Sequence, residues 1–208
     1  MQSTPESDFQ IGSDMIKVEF GVKNEGCTLQ SVTSLEDSVT YFINSNQETP
    51  FWTAEFRNEE GQPLHVDSLL TFQNDRGRPV STADESCFSY HVDEGDDLIT
   101  GLLRWEDIPL EFESKQGKAT VELELQLSQQ APVVHWSPTV SFSGDGVTLW
   151  EFSFPSGGNI RKEGSDLKDD ELVLPHGWGE RIRNPTAESD LTTNHPQLET
   201  YPSANWTM

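Results

Sequence analysis

The residues of this chain that could do chemistry are mostly carboxylates, and one acidic loop gathers several of them. Residues 93 to 97 read Asp-Glu-Gly-Asp-Asp between two apolar segments. Hard carboxylate oxygens in a flexible loop suit Ca²⁺, although the regular ligand spacing of an EF-hand loop is absent. The candidate ligands for Ca²⁺ or Na⁺ are Asp93, Glu94, Asp96 and Asp97. A solvated loop without a cation is the alternative interpretation, and no other cofactor is predicted.

A second set of carboxylates alternates with apolar residues on either side of a short loop. Its members are Glu111, Glu113, Glu122 and Glu124. In a hairpin these side chains are expected to lie close together on one face, where like charges destabilise a sheet. Two carboxylates about 5 to 10 Å apart could hydrolyse a glycosidic bond. The interleaved residues are aliphatic, however, and no aromatic sugar platform accompanies them.

Other catalytic and metal-binding motifs are absent from the sequence. There is no G-x-S-x-G nucleophile elbow, no phosphate-binding P-loop and no glycine-rich dinucleotide motif. The five histidines are dispersed, without the spacing of a zinc site. We therefore predict a protein that is not an enzyme.

The elements that carry these residues are predicted to be strands. Ile108–Phe112 and Val121–Leu127 alternate apolar and polar residues about a glycine-containing loop, which predicts a β-hairpin. Short runs of the same period, among them Leu98–Leu103 and Val147–Phe154, continue through most of the chain, and no segment sustains a helical period. We predict an all-β fold, an antiparallel β-sandwich of jelly-roll or immunoglobulin-like type, over residues 15–155.

The segments on either side of this domain differ from it in composition. Residues 1–14 are polar and are predicted to form an N-terminal arm. Residues 156–208 are rich in Pro, Ser, Thr and Asn, and they have too few apolar residues to fold alone. We predict an extended C-terminal arm that packs on its own domain or on neighbouring subunits. Its candidate partner-binding anchors are Trp178, Ile182, Tyr201 and Trp206.

The tryptophans admit two interpretations. Trp150 is assigned to the core, because the period of two places it on one strand face with Phe152 and Phe154. A carbohydrate-binding module would instead expose two or three tryptophans in a line. We adopt the first interpretation for Trp150 and keep the second as an alternative.

The charge of the chain is strongly negative. It has 36 acidic and 13 basic residues, for a formal net charge of −23. Nucleic-acid phosphates and anionic membranes attract clusters of Lys and Arg, so neither is an expected partner. The charge fits a protein from a halophilic source, an ordinary acidic protein or a mimic of DNA. We favour the halophilic source, because high salt screens the repulsion among so many carboxylates. The screening length falls from about 8 Å at physiological ionic strength to about 3 Å at 1 M.

These observations lead to a prediction of function. The N-terminal residues lack a secretory signal, no run approaches the roughly 20 apolar residues of a membrane span, and Cys27 and Cys87 could be paired or free. We predict a structural subunit of an assembly of its own copies and other subunits, namely a capsid, decoration or tail protein of a virus of a halophilic host, found in the virion or cytoplasm. A carbohydrate-binding module or lectin is one alternative, and an acidic DNA-mimic inhibitor is another.

Overall fold

The structure of the chain is a computed structural model, and the residues that it describes form strands, turns and loops without a helix. It describes residues 8–23, 26–36, 38–44, 49–74, 88–112, 116–156, 159–160, 171–174 and 180–183. The described strands are β1 (Phe9–Gly12), β2 (Ile16–Lys23), β3 (Gly26–Ser34), β4 (Thr40–Ile43), β5 (Thr53–Arg57), β6 (Pro63–Asp67), β7 (Phe72–Asn74), β8 (Phe88–Glu94), β9 (Leu98–Glu111), β10 (Gln116–Ser128), β11 (Val134–Ser143), β12 (Thr148–Ser153), β13 (Asn159–Ile160), β14 (Glu171–Leu174) and β15 (Glu180–Arg183). The predicted all-β class is confirmed.

Three antiparallel sheets account for the strands up to residue 160. The first sheet has the order β1-β2-β3-β4-β13, the second β12-β5-β6-β7 and the third β11-β10-β9-β8. Most sequential strands pair as meanders, while β12 and β13 return to the edges of the second and first sheets. This order does not confirm either of the two predicted connectivities, jelly-roll or immunoglobulin-like.

The core forms because each sheet turns its apolar residues to one side. In β10, Val121, Leu123 and Leu125 are fully buried, while the residues between them are partly exposed. This is the period of two expected for a strand with one buried face. Burial of such side chains supplies the main favourable free energy of folding.

The inner face of the third sheet packs against both other sheets in a sandwich-like arrangement. Phe9 of β1 stacks on Tyr90 of β8 with ring centroids 4.0 Å apart. Near the second sheet, Trp52 meets Trp105 of β9 edge to face at 5.3 Å. These contacts join the first and second sheets to the third through aromatic rings, whose large buried area and specific geometry stabilise such contacts.

A buried turn between β6 and β7 connects all three sheets. The Ser68 carbonyl oxygen accepts hydrogen bonds from the Cys27 backbone N–H at 2.8 Å and from the Trp105 indole N–H at 3.0 Å. The Ser68 hydroxyl accepts a third bond, from the Phe51 backbone N–H at 2.9 Å. Gly26 is required beside this turn, because a Cβ there would lie 2.4 Å from the Ser68 carbonyl oxygen.

The turn itself is held by the side chain of Asp67. Its Oδ1 accepts backbone hydrogen bonds from Leu69 at 2.9 Å and from Thr71 at 3.0 Å, and Leu70 has a φ of 57°. Burial raises the pKa of the Asp67 carboxyl, and the hydrogen bonds from Thr71 and Leu69 only partly offset that rise. The fold therefore favours the protonated form of this group more than the unfolded chain does.

The structure differs from the prediction at the predicted N-terminal arm, 1–14. Residues 9 to 12 form β1, because Phe9 packs against Phe20 and Tyr90 while Ile11 is buried in the core. Residues 1–7 lie outside the described part of the chain.

At the other end, the chain divides into two compact units between Ile160 and Arg161. The predicted boundary, between residues 155 and 156, precedes β13, which pairs with β4. In the second unit, β14 pairs with β15 in a register that places Leu172 opposite Ile182. The structure does not test the predicted extended arm.

The Asp67 carboxyl gives a testable pH dependence. Its folded pKa lies above the unfolded value, so its contribution to the free energy of unfolding is present at low pH and is lost as pH rises through the folded pKa. Asp67→Asn keeps an acceptor oxygen without a charge. We expect the free energy of unfolding of Asp67→Asn, relative to that of the natural protein, to increase from pH 4 to pH 7 in urea unfolding experiments.

Asp67→Ala is the matched control for the hydrogen bonds. It removes the acceptor and is expected to lower the free energy of unfolding by about 1–3 kcal/mol. If the free energy of unfolding of Asp67→Asn, relative to that of the natural protein, falls as pH rises, the raised pKa of Asp67 is contradicted.

Candidate functional site

The most exposed large apolar side chain in the described part of the chain is Trp150, on β12. It is 62% exposed, whereas Trp52 and Trp105 are fully buried. The prediction that Trp150 belongs to the core was therefore wrong. The reason is a β-bulge: Leu149 pairs with Phe56 and Glu151 with Glu55, which leaves Trp150 as the extra residue. Bulges redirect side chains and are frequent beside functional sites.

A signal for this bulge exists in the sequence. Val147 and Leu149 are apolar at odd positions, whereas Phe152 and Phe154 are apolar at even positions. The inward-facing residues of one strand can change from odd to even only if a residue is inserted between them. All four side chains do pack on the core. Trp150 lies where the change occurs.

The side chain of Arg57 lies against one face of the Trp150 ring. Its Cζ atom is 3.9 Å from the ring centroid, which is a close cation–π contact. Arg57 is held in turn by Glu55, with Nε and Oε1 2.5 Å apart. The carboxylate of Glu55 thereby orients the guanidinium on which the ring rests.

The same outer face of the second sheet continues to β6. His65 is the direct cross-strand partner of Glu55, and its Nδ1 lies 3.9 Å from Glu55 Oε2. On the other side, Glu151 is the partner of Glu55. We call Trp150, Arg57, Glu55, His65 and Glu151 the Trp150 site. It combines one open aromatic ring with planar hydrogen-bonding side chains, an arrangement that can bind a polar ligand with an apolar face.

The predicted carboxylate cluster of the β9–β10 hairpin does not form among the described residues. Glu111 pairs with Gln116, whereas Glu122 pairs with Arg104 and Glu124 with Leu102. The prediction was wrong because the hairpin turns immediately after Glu111, so its register moves Glu122 several residues along the sheet. Glu113 lies outside the described residues. Among the described residues, the register therefore brings Glu111 next to neither Glu122 nor Glu124.

A basic residue lies within the acidic outer face of the third sheet. Arg104 Nε is 2.8 Å from Glu122 Oε1, and its Nη1 is 2.8 Å from Glu106 Oε1. This pairing reduces the repulsion that we expected on the face. It also interrupts the continuous row of negative charge that a DNA mimic would present.

The acidic loop lies at the turn between β8 and β9. Asp93 and Glu94 end β8, and Asp96 and Asp97 follow in the turn, all four exposed. Asp93 Oδ1 lies 2.9 Å from His91 Nε2, and Asp97 Oδ1 accepts a hydrogen bond from Gln130 at 3.0 Å. No group of three metal-binding side chains occurs among the described residues. The predicted Ca²⁺ or Na⁺ site remains a prediction.

The predicted partner-binding residues lie in the second unit. Ile182 is in β15, and Trp178, Tyr201 and Trp206 lie outside the described residues.

Cys27 is a buried free thiol whose pKa is raised mainly by burial, so it is a poor nucleophile. Cys87 is also outside the described residues.

Comparisons with known proteins identify no relative. No family model, curated protein or solved structure matches the chain significantly. Within its described residues, the chain has no helix with the length and apolarity needed to cross a membrane. The functional argument therefore depends on the surface of the molecule itself.

The exposure of Trp150 gives a second test. Trp150→Ala is expected to lower the free energy of unfolding by no more than about 1 kcal/mol, because the exposed ring loses mainly its contact with Arg57. Trp105→Ala, at a fully buried ring, is expected to cost about 3–5 kcal/mol. Urea unfolding followed by circular dichroism measures both. Equal losses would contradict the exposed position of Trp150.

Proposed function

We propose that the protein is a non-enzymatic structural subunit of a larger assembly. Its partners would be further copies of itself and other assembly subunits. At the finer level, we propose a capsid, decoration or tail protein of a virus of a halophilic host. The observation that supports the proposal best is the charge distribution along β11, at the edge of the third sheet.

Strand β11 is uncharged within a strongly acidic protein. Residues 125–144 contain no Asp, Glu, Lys or Arg, although charged residues make up 24% of the chain. Among the described strands, β11 pairs only with β10. Its outward residues His135, Ser137, Thr139, Ser141 and Ser143 are all exposed.

An edge of this kind suits pairing with another chain. Natural proteins usually protect edge strands with charges, prolines or bulges, because the free backbone groups can pair with a second strand. The only such device within β11 is Pro138. Two molecules with a net charge of −23 would repel least where an uncharged edge meets its partner.

High salt would assist this contact. At about 1 M salt the screening length is about 3 Å, so the acidic faces beside the edge would repel only at short range. The C-terminal segment, residues 156–208, would add contacts as an extended arm. Trp178, Ile182, Tyr201 and Trp206 would be its anchors on neighbouring subunits, since aromatic residues bury large areas at interfaces.

A pair of lysine substitutions tests the edge. Ser141 on β11 and Thr120 on β10 are direct cross-strand partners on the same outer face, but only Ser141 is at the edge. Light scattering and circular dichroism between about 0.1 and 3 M KCl should show oligomers of the natural protein at high salt. Ser141→Lys should remove the oligomers, while Thr120→Lys should retain them.

The lysine pair also identifies the results that contradict the proposal. Natural protein that stays monomeric at every salt concentration would exclude salt-assisted assembly. If Thr120→Lys abolishes oligomers as completely as Ser141→Lys, the contact involves the sheet face rather than the edge.

Deletion of residues 161–208 tests the role of the C-terminal segment. The division of the chain between Ile160 and Arg161 places these residues outside the first unit. We expect the shortened chain to keep its β-sheet circular dichroism signal, because the core lies in the first unit, and to lose its oligomers. Loss of the folded core would contradict this division between folding and assembly.

A further inference from the structure

We propose that the Trp150 site binds neutral carbohydrate. The ligand class is an uncharged oligosaccharide with a pyranose ring whose C–H face packs on the indole. This inference is independent of the assembly proposal, because it depends on the outer face of the second sheet and not on β11.

The open face of Trp150 provides the apolar part of the site. Arg57 covers one face of the ring, and 62% of the residue is nevertheless exposed. The face opposite Arg57 is therefore the one that solvent or a ligand can reach. A pyranose has an apolar C–H face of similar width to an indole, and aromatic side chains bind such surfaces while their surroundings bind the polar rim.

The ring is fixed before a ligand arrives. Glu55 holds Arg57, and the Glu55 side chain is only 15% exposed, so its carboxylate is largely shielded from water. Arg57 then supports the ring through the cation–π contact. A side chain that is already ordered loses less conformational entropy when a ligand binds.

The polar groups of the site are arranged for hydroxyl groups. Glu151, Glu55 and His65 follow one another across three strands as direct cross-strand partners. With strands about 4.8 Å apart, they span about 10 Å, which is comparable with two sugar rings. The groups that a ligand can reach are the exposed Glu151, whose carboxylate accepts hydrogen bonds from hydroxyls, and the half-exposed His65, whose ring can donate or accept.

The charge of the site excludes acidic sugars and disfavours a protein partner. Because Arg57 is paired with Glu55, Glu151 leaves the site with a net negative charge within a chain of net charge −23, so uronic, sulfated or sialylated glycans would be repelled. Protein interfaces have cores depleted of charge. Trp150 is instead surrounded by charged side chains, which suits a ligand rich in hydroxyls.

Isothermal titration calorimetry and NMR with defined hexasaccharides test the proposal. The neutral probes are cellohexaose, mannohexaose, chitohexaose and β-1,4-galactohexaose, and hexagalacturonate is the acidic probe. The full chain is used at low and at high KCl concentration. We expect at least one neutral hexasaccharide to bind and to shift the indole N–H resonance of Trp150, and hexagalacturonate to bind at least tenfold more weakly.

Three variants connect binding to the site. Trp150→Ala should weaken binding at least tenfold, and Trp150→Phe should retain part of the affinity. Leu35→Ala is the control, since Leu35 is 44% exposed, follows β3 of the first sheet and should not affect binding. Circular dichroism verifies that each variant is folded.

Several results would overturn the proposal. One is that no neutral probe binds with a Kd below about 10 mM. Another is that Trp150→Ala binds with the same affinity as the natural protein. A third is that hexagalacturonate binds as tightly as the neutral probes. Ser141→Lys keeps the Trp150 site intact. Failure of assembly and failure of carbohydrate binding can therefore be distinguished.

Discussion

The three sheets of this protein depend on the hydrogen bonds of one buried residue, Ser68. Its carbonyl oxygen receives N–H groups from the first and third sheets, and its hydroxyl receives one from the segment that leads into the second. A buried polar group that loses its partner costs about 1–3 kcal/mol, so these bonds fix how the sheets meet. Gly26 is the steric counterpart of this constraint, because any side chain there would collide with the Ser68 carbonyl.

The fold also explains why this protein can be so acidic. The carboxylates of the described strands lie largely on outer faces, where Arg104 bridges Glu106 and Glu122 and Arg57 pairs with Glu55. Partly exposed ion pairs such as those of Arg104 contribute little stability individually, but they separate like charges that would otherwise adjoin. The segment 125–144 contrasts with these faces, because it contains no Asp, Glu, Lys or Arg.

Sequence periodicity predicted the strands well where a strand has one buried face, as in β10. It failed where one residue alters the register. Leu98–Leu103 and Ile108–Phe112 looked like two strands, but β9 is continuous through Asp107, which has a φ of 54° beside a bulge. The Ser68 turn lies within an apolar run because the turn itself is buried, and a short apolar run is also typical of a strand. Hydrogen bonds between residues that are distant in sequence, such as the bond from the Cys27 N–H to the Ser68 carbonyl oxygen, leave no local pattern in the sequence.

The bulge at Trp150 has a consequence for how this surface can vary. Position 150 has no cross-strand partner in the ladder, so its side chain is not part of the alternation that holds the sheet in register. It therefore combines the rigid support of a strand with the mutational tolerance of a loop. Randomising this position in a library would diversify the surface while the aromatic core beneath it keeps its packing. The outer face of the second sheet is thus a natural starting point for directed evolution of recognition.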